Sequence, residues 1–145
     1  MSRGETAPSP RLENHVSQFG DLRQFLDRDL TLQVGDKEYT IPAPTAEKGL
    51  QMRVNAFSGT MTDADEVIAA VELCGGRWDD EKNEWVKPKG SLFARLMREQ
   101  DWYTVHRVIK TGLMYYSVSR EAAHNYWRTG SILGDDADLE ESPQQ

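Results

Sequence analysis

Apolar and polar residues alternate along two short segments near the start of the chain. Leu30, Leu32 and Val34 mark the first segment, and Tyr39 and Ile41 mark the second. Alternation is typical of strands that bury one face, and the Gly-Asp-Lys sequence between the segments predicts a turn. Because an isolated hairpin is only marginally stable in water, we expect this one to pack on helices.

After residue 44 the apolar residues recur every three or four positions, which is the spacing typical of amphipathic helices. The residues that we predict as N-caps of these helices are Thr45, Thr62 or Asp63, Ser91, Asp101 and Ser119. The apolar stripe of the first helix consists of Ala46, Leu50, Val54 and Phe57. That of the helix after Asp101 consists of Trp102, Val105, Ile109, Leu113 and Tyr116. We expect both stripes to face the core.

Aromatic residues outside these stripes are candidates for a binding surface. Trp127 and Ile109 are predicted to be core residues, whereas Val108 and Tyr115 lie on a flank of their helix. The predicted partner-binding residues are Tyr115, Trp78, Trp85 and Tyr39, because exposed aromatic side chains are typical interface anchors.

Two tryptophans flank a polar run in the segment 77–86. This pattern predicts a small hairpin in which Trp78 and Trp85 pair across the strands. The acids between them, from Asp79 to Glu84, could instead form a catalytic carboxylate site. Acids act in this way only where their surroundings separate their pKa values, and so dense a cluster favours a solvated turn.

These patterns predict an α+β fold that is mostly α. A hairpin at residues 19–44 packs on a bundle of about four to five helices, and a single domain spans residues 19–133. Residues 1–18 form a leader and residues 134–145 an acidic tail, and we expect both to be disordered.

Composition narrows the range of functions. The net charge of −7 argues against general nucleic-acid binding, and acids interrupt the one basic band, which is Arg95, Arg98, Arg107 and Lys110. No apolar run approaches the roughly 20 residues that cross a bilayer, and no signal peptide is recognisable. Cys74 is the single cysteine, and His106 and His124 have no partner at a metal-ligand spacing. We therefore predict a cytosolic protein with no metal or cofactor, in which Cys74 packs in the core.

Several longer patterns point to a known family. They are Asp21-Leu22-x-x-Phe25-Leu26-Asp27, Leu30-Thr31-Leu32, Tyr39-Thr40-Ile41-Pro42-Ala43-Pro44, Ala46-Glu47-x-Gly49-Leu50, the helix with Trp102, His106, Thr111 and Gly112, and Arg120-Glu121-Ala122-Ala123-x-x-Tyr126-Trp127-x-x-Gly130. As a set they resemble the tail assembly chaperones of long-tailed, siphovirus-type actinobacteriophages and prophages. The resemblance covers roughly residues 19–130, and the leader and the 77–86 insertion depart from it.

The resemblance implies a protein that is not an enzyme and has no catalytic residues. Such chaperones bind the tape-measure protein, help to recruit major tail (tube) subunits in the host cytoplasm, and are absent from the mature virion. It also implies a possible frameshifted longer form of the protein, joined through residues 134–145.

Two alternatives remain open at this stage. One is a structural tail or head–tail connector protein that stays in the virion and docks through the sheet edge between Leu30 and Ile41. The other is a small enzyme that uses Asp79, Glu84 and His106.

Overall fold

The computed structural model describes residues 18–26 and 28–131. In these residues a 3-10 turn (Leu22–Gln24) precedes β1 (Leu30–Val34), β2 (Lys37–Ile41), α1 (Ala46–Phe57), α2 (Asp63–Leu73), β3 (Arg77–Asp79), β4 (Glu84–Val86), α3 (Leu92–Glu99), α4 (Trp102–Ser117) and α5 (Arg120–Thr129). The predicted α+β, mostly α class is confirmed. Apart from Gln18, the predicted leader lies outside the described residues, as do Asp27 and the predicted acidic tail.

The first strand pair is an antiparallel hairpin in the predicted position. Leu30 pairs with Ile41 and Leu32 with Tyr39, and the pair between Val34 and Lys37 closes the turn. One face carries the buried side chains of Leu32, Tyr39 and Ile41. The alternation along the sequence therefore identified the buried face.

Helix α4 is the centre of the fold, and the hairpin lies directly on it. A Cβ atom placed on Gly112 would come within 2.5 Å of the Ile41 Cδ1 atom, so the absence of a side chain allows this close approach. The buried residues of α4 are Val105, Val108, Ile109, Thr111, Gly112, Leu113, Met114 and Ser117.

The buried face of α4 is wider than its sequence stripe. Val108, predicted on a flank, is fully buried, because α1, α2, α3, α5 and β1 all contact this helix. Trp102, predicted to face the core, is exposed in the first turn of α4. The prediction was therefore wrong for Trp102 and right for Ile109, which is fully buried.

Local capping signals predicted the helix starts well. The observed N-caps are Thr45, Thr62, Ser91, Asp101 and Ser119. At α2 the Thr62 hydroxyl and the Asp65 carboxylate form a reciprocal capping box. Gly130 adopts a left-handed conformation and ends α5.

The tryptophan-flanked segment forms the predicted small hairpin. Trp78 and Trp85 are cross-strand partners, with ring centroids 4.9 Å apart and planes inclined at 63°. The carboxylate of Asp79 accepts hydrogen bonds from the backbone N–H groups of Glu81 and Lys82. These contacts are those of a polar turn that a side chain closes locally.

No helix within the described part of the chain has the length and apolar character needed to span a bilayer.

Candidate partner-binding surface

The main apolar stripe of helix α1 faces solvent. Leu50 is 66%, Val54 53% and Phe57 63% exposed. The sequence pattern predicted that this stripe faces the core, and that prediction is wrong. Three large apolar side chains at helical spacing thus form an exposed surface, which we call the α1 stripe.

The opposite face of α1 makes the contact with the rest of the protein. Met52 is the only buried residue of α1, and it lies roughly 140–200° around the helix from the stripe residues. A Cβ atom on Gly49 would lie 3.6 Å from the ring of Pro44, so the small residue lets the helix start lie close to the preceding loop. Because α1 has apolar residues on both faces, its sequence does not determine which face packs inward.

A groove beside the α1 stripe extends this surface into the fold. The groove has a volume of about 570 Å³, with α1 and α2 as its walls. Leu113 and Met114 of α4 form part of its floor, and Phe57 and Met61 lie at its α1 end. Phe57 therefore belongs to both the groove and the α1 stripe.

Four of the five charged residues that line the groove form two ion pairs. Lys48 of α1 contacts Glu72 of α2 at 3.5 Å, and Lys110 of α4 contacts Glu66 of α2 at 3.4 Å. These pairs link the helices and neutralise their charges locally, although exposed pairs of this kind add little stability. The larger part of the groove surface is apolar.

Arg53 of α1 makes a further polar contact. The Arg53 guanidinium donates to the carbonyl oxygen of Val118 at 3.0 Å. The same group lies 5.0 Å from the centre of the Phe57 ring, a distance suited to a cation–π interaction. Arg53 thus contacts the single aromatic side chain of the α1 stripe, Phe57.

Tyr39, one of the predicted partner-binding residues, is a core residue. Its side chain is fully buried, and its hydroxyl donates to the Glu99 carboxylate and accepts from the Gln100 amide, each at 2.8 Å. Burial raises the pKa of this hydroxyl. The partner assignment of Tyr39 is therefore wrong, because its ring offers no surface.

The other three predicted partner-binding residues are half-buried. Trp85 packs against the core near Phe93, with ring centroids 6.1 Å apart, and Trp78 lies across from it. Tyr115 contacts Tyr116 edge-on, with ring centroids 4.9 Å apart. The structure brings neither Tyr115 nor the tryptophan pair into the groove beside α1.

The residues considered for chemistry lie on two different parts of the fold. Asp79 and Glu84 are on the β3–β4 hairpin, whereas His106 lines a small cleft between α2 and α4. Burial, followed by nearby Lys110 and Arg107, lowers the pKa of His106. Within the described residues, no group of His, Cys, Asp and Glu side chains is arranged to hold a metal ion.

Residues of the predicted basic band contact other parts of the protein. Arg95 lies over the Tyr39 ring at 4.5 Å, and Arg107 donates to the carbonyl oxygen of Trp127 at 2.8 Å. Lys110 is paired with Glu66. These side chains act as links between elements of the fold.

Residues 20–145 match the family model Domain of unknown function (DUF7426). The chain belongs to this family. The DUF7426 match begins within the first described segment and continues past α5 through residue 145, so it includes residues beyond the described structure. A search of curated proteins and a search of solved structures each found no match.

Proposed function

We propose that this protein is a tail assembly chaperone that binds the tape-measure protein through the α1 stripe and the adjoining groove. The observation that carries the proposal is the outward direction of Leu50, Val54 and Phe57. These residues follow the i, i+4, i+7 spacing by which amphipathic helices meet a partner. The sequence patterns that resemble tail assembly chaperones give the class of partner.

A tape-measure protein is a long helical chain whose apolar residues are unprotected before the tail tube surrounds it. An apolar stripe beside a groove suits such a partner, since both sides remove apolar surface from water when they meet. The net charge of −7 helps to keep the free chaperone soluble despite its exposed stripe. In this proposal the chaperone also helps to recruit tube subunits in the host cytoplasm, and it leaves before the virion is complete.

Co-purification with the tape-measure protein tests the proposal. Leu50→Asp and Phe57→Asp each place a charge in the stripe, and we expect each to weaken capture by at least about tenfold, which corresponds to ~1.4 kcal/mol. Tyr103→Asp is the matched control, because Tyr103 is 85% exposed on α4 and lies outside the stripe and groove. Circular dichroism verifies that all three variants are folded.

Two results would overturn the proposal. Undiminished capture by both stripe variants would remove the α1 stripe from the binding surface, and absence of capture by the unmodified protein would remove the tape measure as its partner. Mass spectrometry of purified particles separates the proposal from its alternative, because a structural tail or head–tail connector protein stays in the virion.

A further inference from the structure

A second concavity lies on another side of the molecule, between β1 and α5. It consists of two adjoining cavities of about 400 and 600 Å³ that share Leu30 and Tyr115 in their lining. Leu32 lies on its β1 side, and Trp127 lies on its α5 side. We call it the β1–α5 slot, and it leaves open space beside the outer edge of β1.

One wall of this slot is the free edge of a β-strand. In the hairpin, Leu30 and Ile41 are partners, and both the Leu30 N–H and the Ile41 carbonyl bind the same Tyr116 hydroxyl. These two backbone groups therefore face each other across the hairpin. Since backbone direction alternates along a strand, the N–H and C=O groups of Thr31 and Gln33 point away from β2.

The turn gives the same result independently. Val34 and Lys37 flank a two-residue turn in which Gly35 has a φ of +63°, and such a turn closes on a hydrogen-bonded pair. Within the described residues, Thr31 and Gln33 make no backbone hydrogen bond outside the β1–β2 pairing. Unpaired edge groups of this kind are a site for addition of a further strand.

The other edge of the hairpin has different surroundings. β2 lies beside α3, and the Lys37 ammonium contacts the Glu99 carboxylate at 4.0 Å. Among the described residues, those that line the β1–α5 slot include none from β2. The open space therefore borders β1, and β1 is the edge to which a further strand can be added.

The free edge of β1 is complementary to itself. When two copies of β1 pair antiparallel about a two-fold axis, Thr31 of each copy can lie opposite Gln33 of the other. In this register the two Leu32 residues meet at the axis. Each Thr31–Gln33 pair then exchanges two backbone hydrogen bonds, so the outward N–H and C=O groups of these residues all gain partners.

The side chains also match in this register. Leu30 of one copy lies next to Val34 of the other, on the same face of the sheet as Leu32. Leu30 and Val34 are half-buried, whereas Thr31 and Gln33 are exposed. Pairing therefore removes apolar surface from water on the inner face and leaves the polar residues on the outer face.

Charges at the two ends of β1 select the antiparallel direction. In the same register Arg28, just before β1, lies opposite Asp36, in the turn after it. Both side chains are exposed, and neither is in an ion pair within the described part of the chain. The two-fold axis repeats this pair at both ends of the contact, whereas parallel strands in register would place like charges side by side.

We propose that two copies of this chain associate through the free edge of β1 and form a four-stranded sheet in the order β2–β1–β1–β2. Leu32 of each copy then lies over the β1–α5 slot of the other. The contact is one strand edge wide, and each copy carries a net charge of −7, so the dimer is weak and reversible. The proposal does not depend on the proposed chaperone function, because the α1 stripe takes no part in it.

Sedimentation velocity on the full chain, from about 10 µM to about 1 mM, tests the association. We expect the unmodified protein to change from monomer to dimer as its concentration rises over this range. Gln33→Pro removes one outward N–H, and we expect it to weaken the association by at least about tenfold. Glu38→Pro is the matched control and leaves the association unchanged, since Glu38 lies opposite Gln33 and its N–H points away from β1. Circular dichroism verifies that both variants are folded.

Charge reversal tests the register without a proline in the strand. Arg28→Asp and Asp36→Arg each place like charges opposite each other, and we expect each to weaken the association by about three- to tenfold. The double variant restores pairs of opposite sign and should associate like the unmodified protein. A merely structural effect of either substitution would not be reversed in this way.

Amide hydrogen exchange measured by NMR identifies the surface. The Thr31 and Gln33 amides should exchange more slowly as the protein concentration rises, while the amides of Leu32 and Val34, which face β2, keep their rates. A protein that stays monomeric up to about 1 mM would overturn the proposal. Association that Gln33→Pro and both charge reversals leave unchanged would assign the dimer to another surface and overturn it as well.

Discussion

The hydroxyl of Tyr116 donates a hydrogen bond of 2.6 Å to the carbonyl oxygen of Ile41 and so fastens β2 to α4. The Tyr116 hydroxyl oxygen also accepts a hydrogen bond of 2.9 Å from the backbone N–H of Leu30. The Tyr116 side chain therefore provides a hydrogen-bond partner for one backbone group of each strand at the open end of the hairpin. Burial is the main cause that raises the pKa of Tyr116 to about 12.

Removing this hydroxyl tests how much the contact stabilises the fold. Tyr116→Phe keeps the ring but leaves the Leu30 N–H and the Ile41 carbonyl without this partner, and we expect it to lower the free energy of unfolding by about 1–3 kcal/mol. Tyr103→Phe, at a largely exposed ring, should change it by less than about 0.5 kcal/mol. Urea unfolding of both variants gives the comparison, and equal stabilities would contradict the role of Tyr116.

The contact between Tyr39 and Glu99 predicts a dependence of stability on pH. The hydrogen bond from Tyr39, followed by the charges of Lys37 and Arg95, lowers the pKa of the Glu99 carboxyl. Its folded pKa therefore lies below the ordinary Glu value of about 4.3. The resulting stabilisation is present above the ordinary value and is lost as the pH falls through the folded value.

Glu99→Gln removes this titration while keeping a group that accepts a hydrogen bond. We expect the urea midpoint of the variant to fall less steeply than that of the unmodified protein between about pH 5 and pH 3. Glu38→Gln, at an exposed position of β2, is the control and should leave the slope unchanged. Parallel curves for the unmodified protein and Glu99→Gln would show that this carboxyl does not couple to folding.

Cys74 should report on unfolding. The side chain is 2% exposed, and burial raises the pKa of its thiol to about 12. Because the thiolate is the reactive form, we expect a thiol reagent at pH 8 to modify Cys74 at least about a hundredfold more slowly in the native protein than in guanidinium chloride. Modification at the same rate under both conditions would contradict the buried position of this residue.

Local signals in the sequence predicted most of the fold. The alternation around Leu32 and Tyr39 identified the hairpin and its buried face, and Thr62 marked a helix start, because strand pattern and capping depend on neighbours within a few residues. The partners of Tyr39 could not be predicted in this way. Glu99 and Gln100 lie about sixty positions further along the chain, and only the tertiary fold brings them to its hydroxyl.

The candidate binding surface was missed for a related physical reason. Helix α1 has Leu50 on one face and Met52 on the other, so its pattern is compatible with two orientations. Its inward face was selected by a fit to α4 and to Pro44, which periodicity does not describe. A second apolar face on a short helix was the available signal that one of the two faces stays exposed.

Two glycines in helices should respond to alanine in opposite directions. At Gly112 the added Cβ would lie within 2.5 Å of the buried Ile41 side chain, so we expect Gly112→Ala to destabilise the fold by about 1–3 kcal/mol through overpacking. At Gly49 the nearest contact would be 3.6 Å, an ordinary van der Waals distance. Gly49→Ala should therefore stabilise the protein by about 0.5–1 kcal/mol. Thermal unfolding of both variants measures the two effects, and a shift of the same sign would contradict this packing.

Because the α1 stripe faces solvent, its residues should contribute little to the stability of the fold. Leu50→Ala and Val54→Ala remove exposed side chains, and we expect each to change the free energy of unfolding by less than about 0.5 kcal/mol. Ile109→Ala removes a fully buried side chain and should cost about 2–5 kcal/mol. If Leu50→Ala and Ile109→Ala destabilise the protein equally in urea, Leu50 is a core residue and α1 is turned the other way. If Leu50→Ala and Val54→Ala are neutral in stability, any loss of tape-measure capture by these same two variants reflects binding alone.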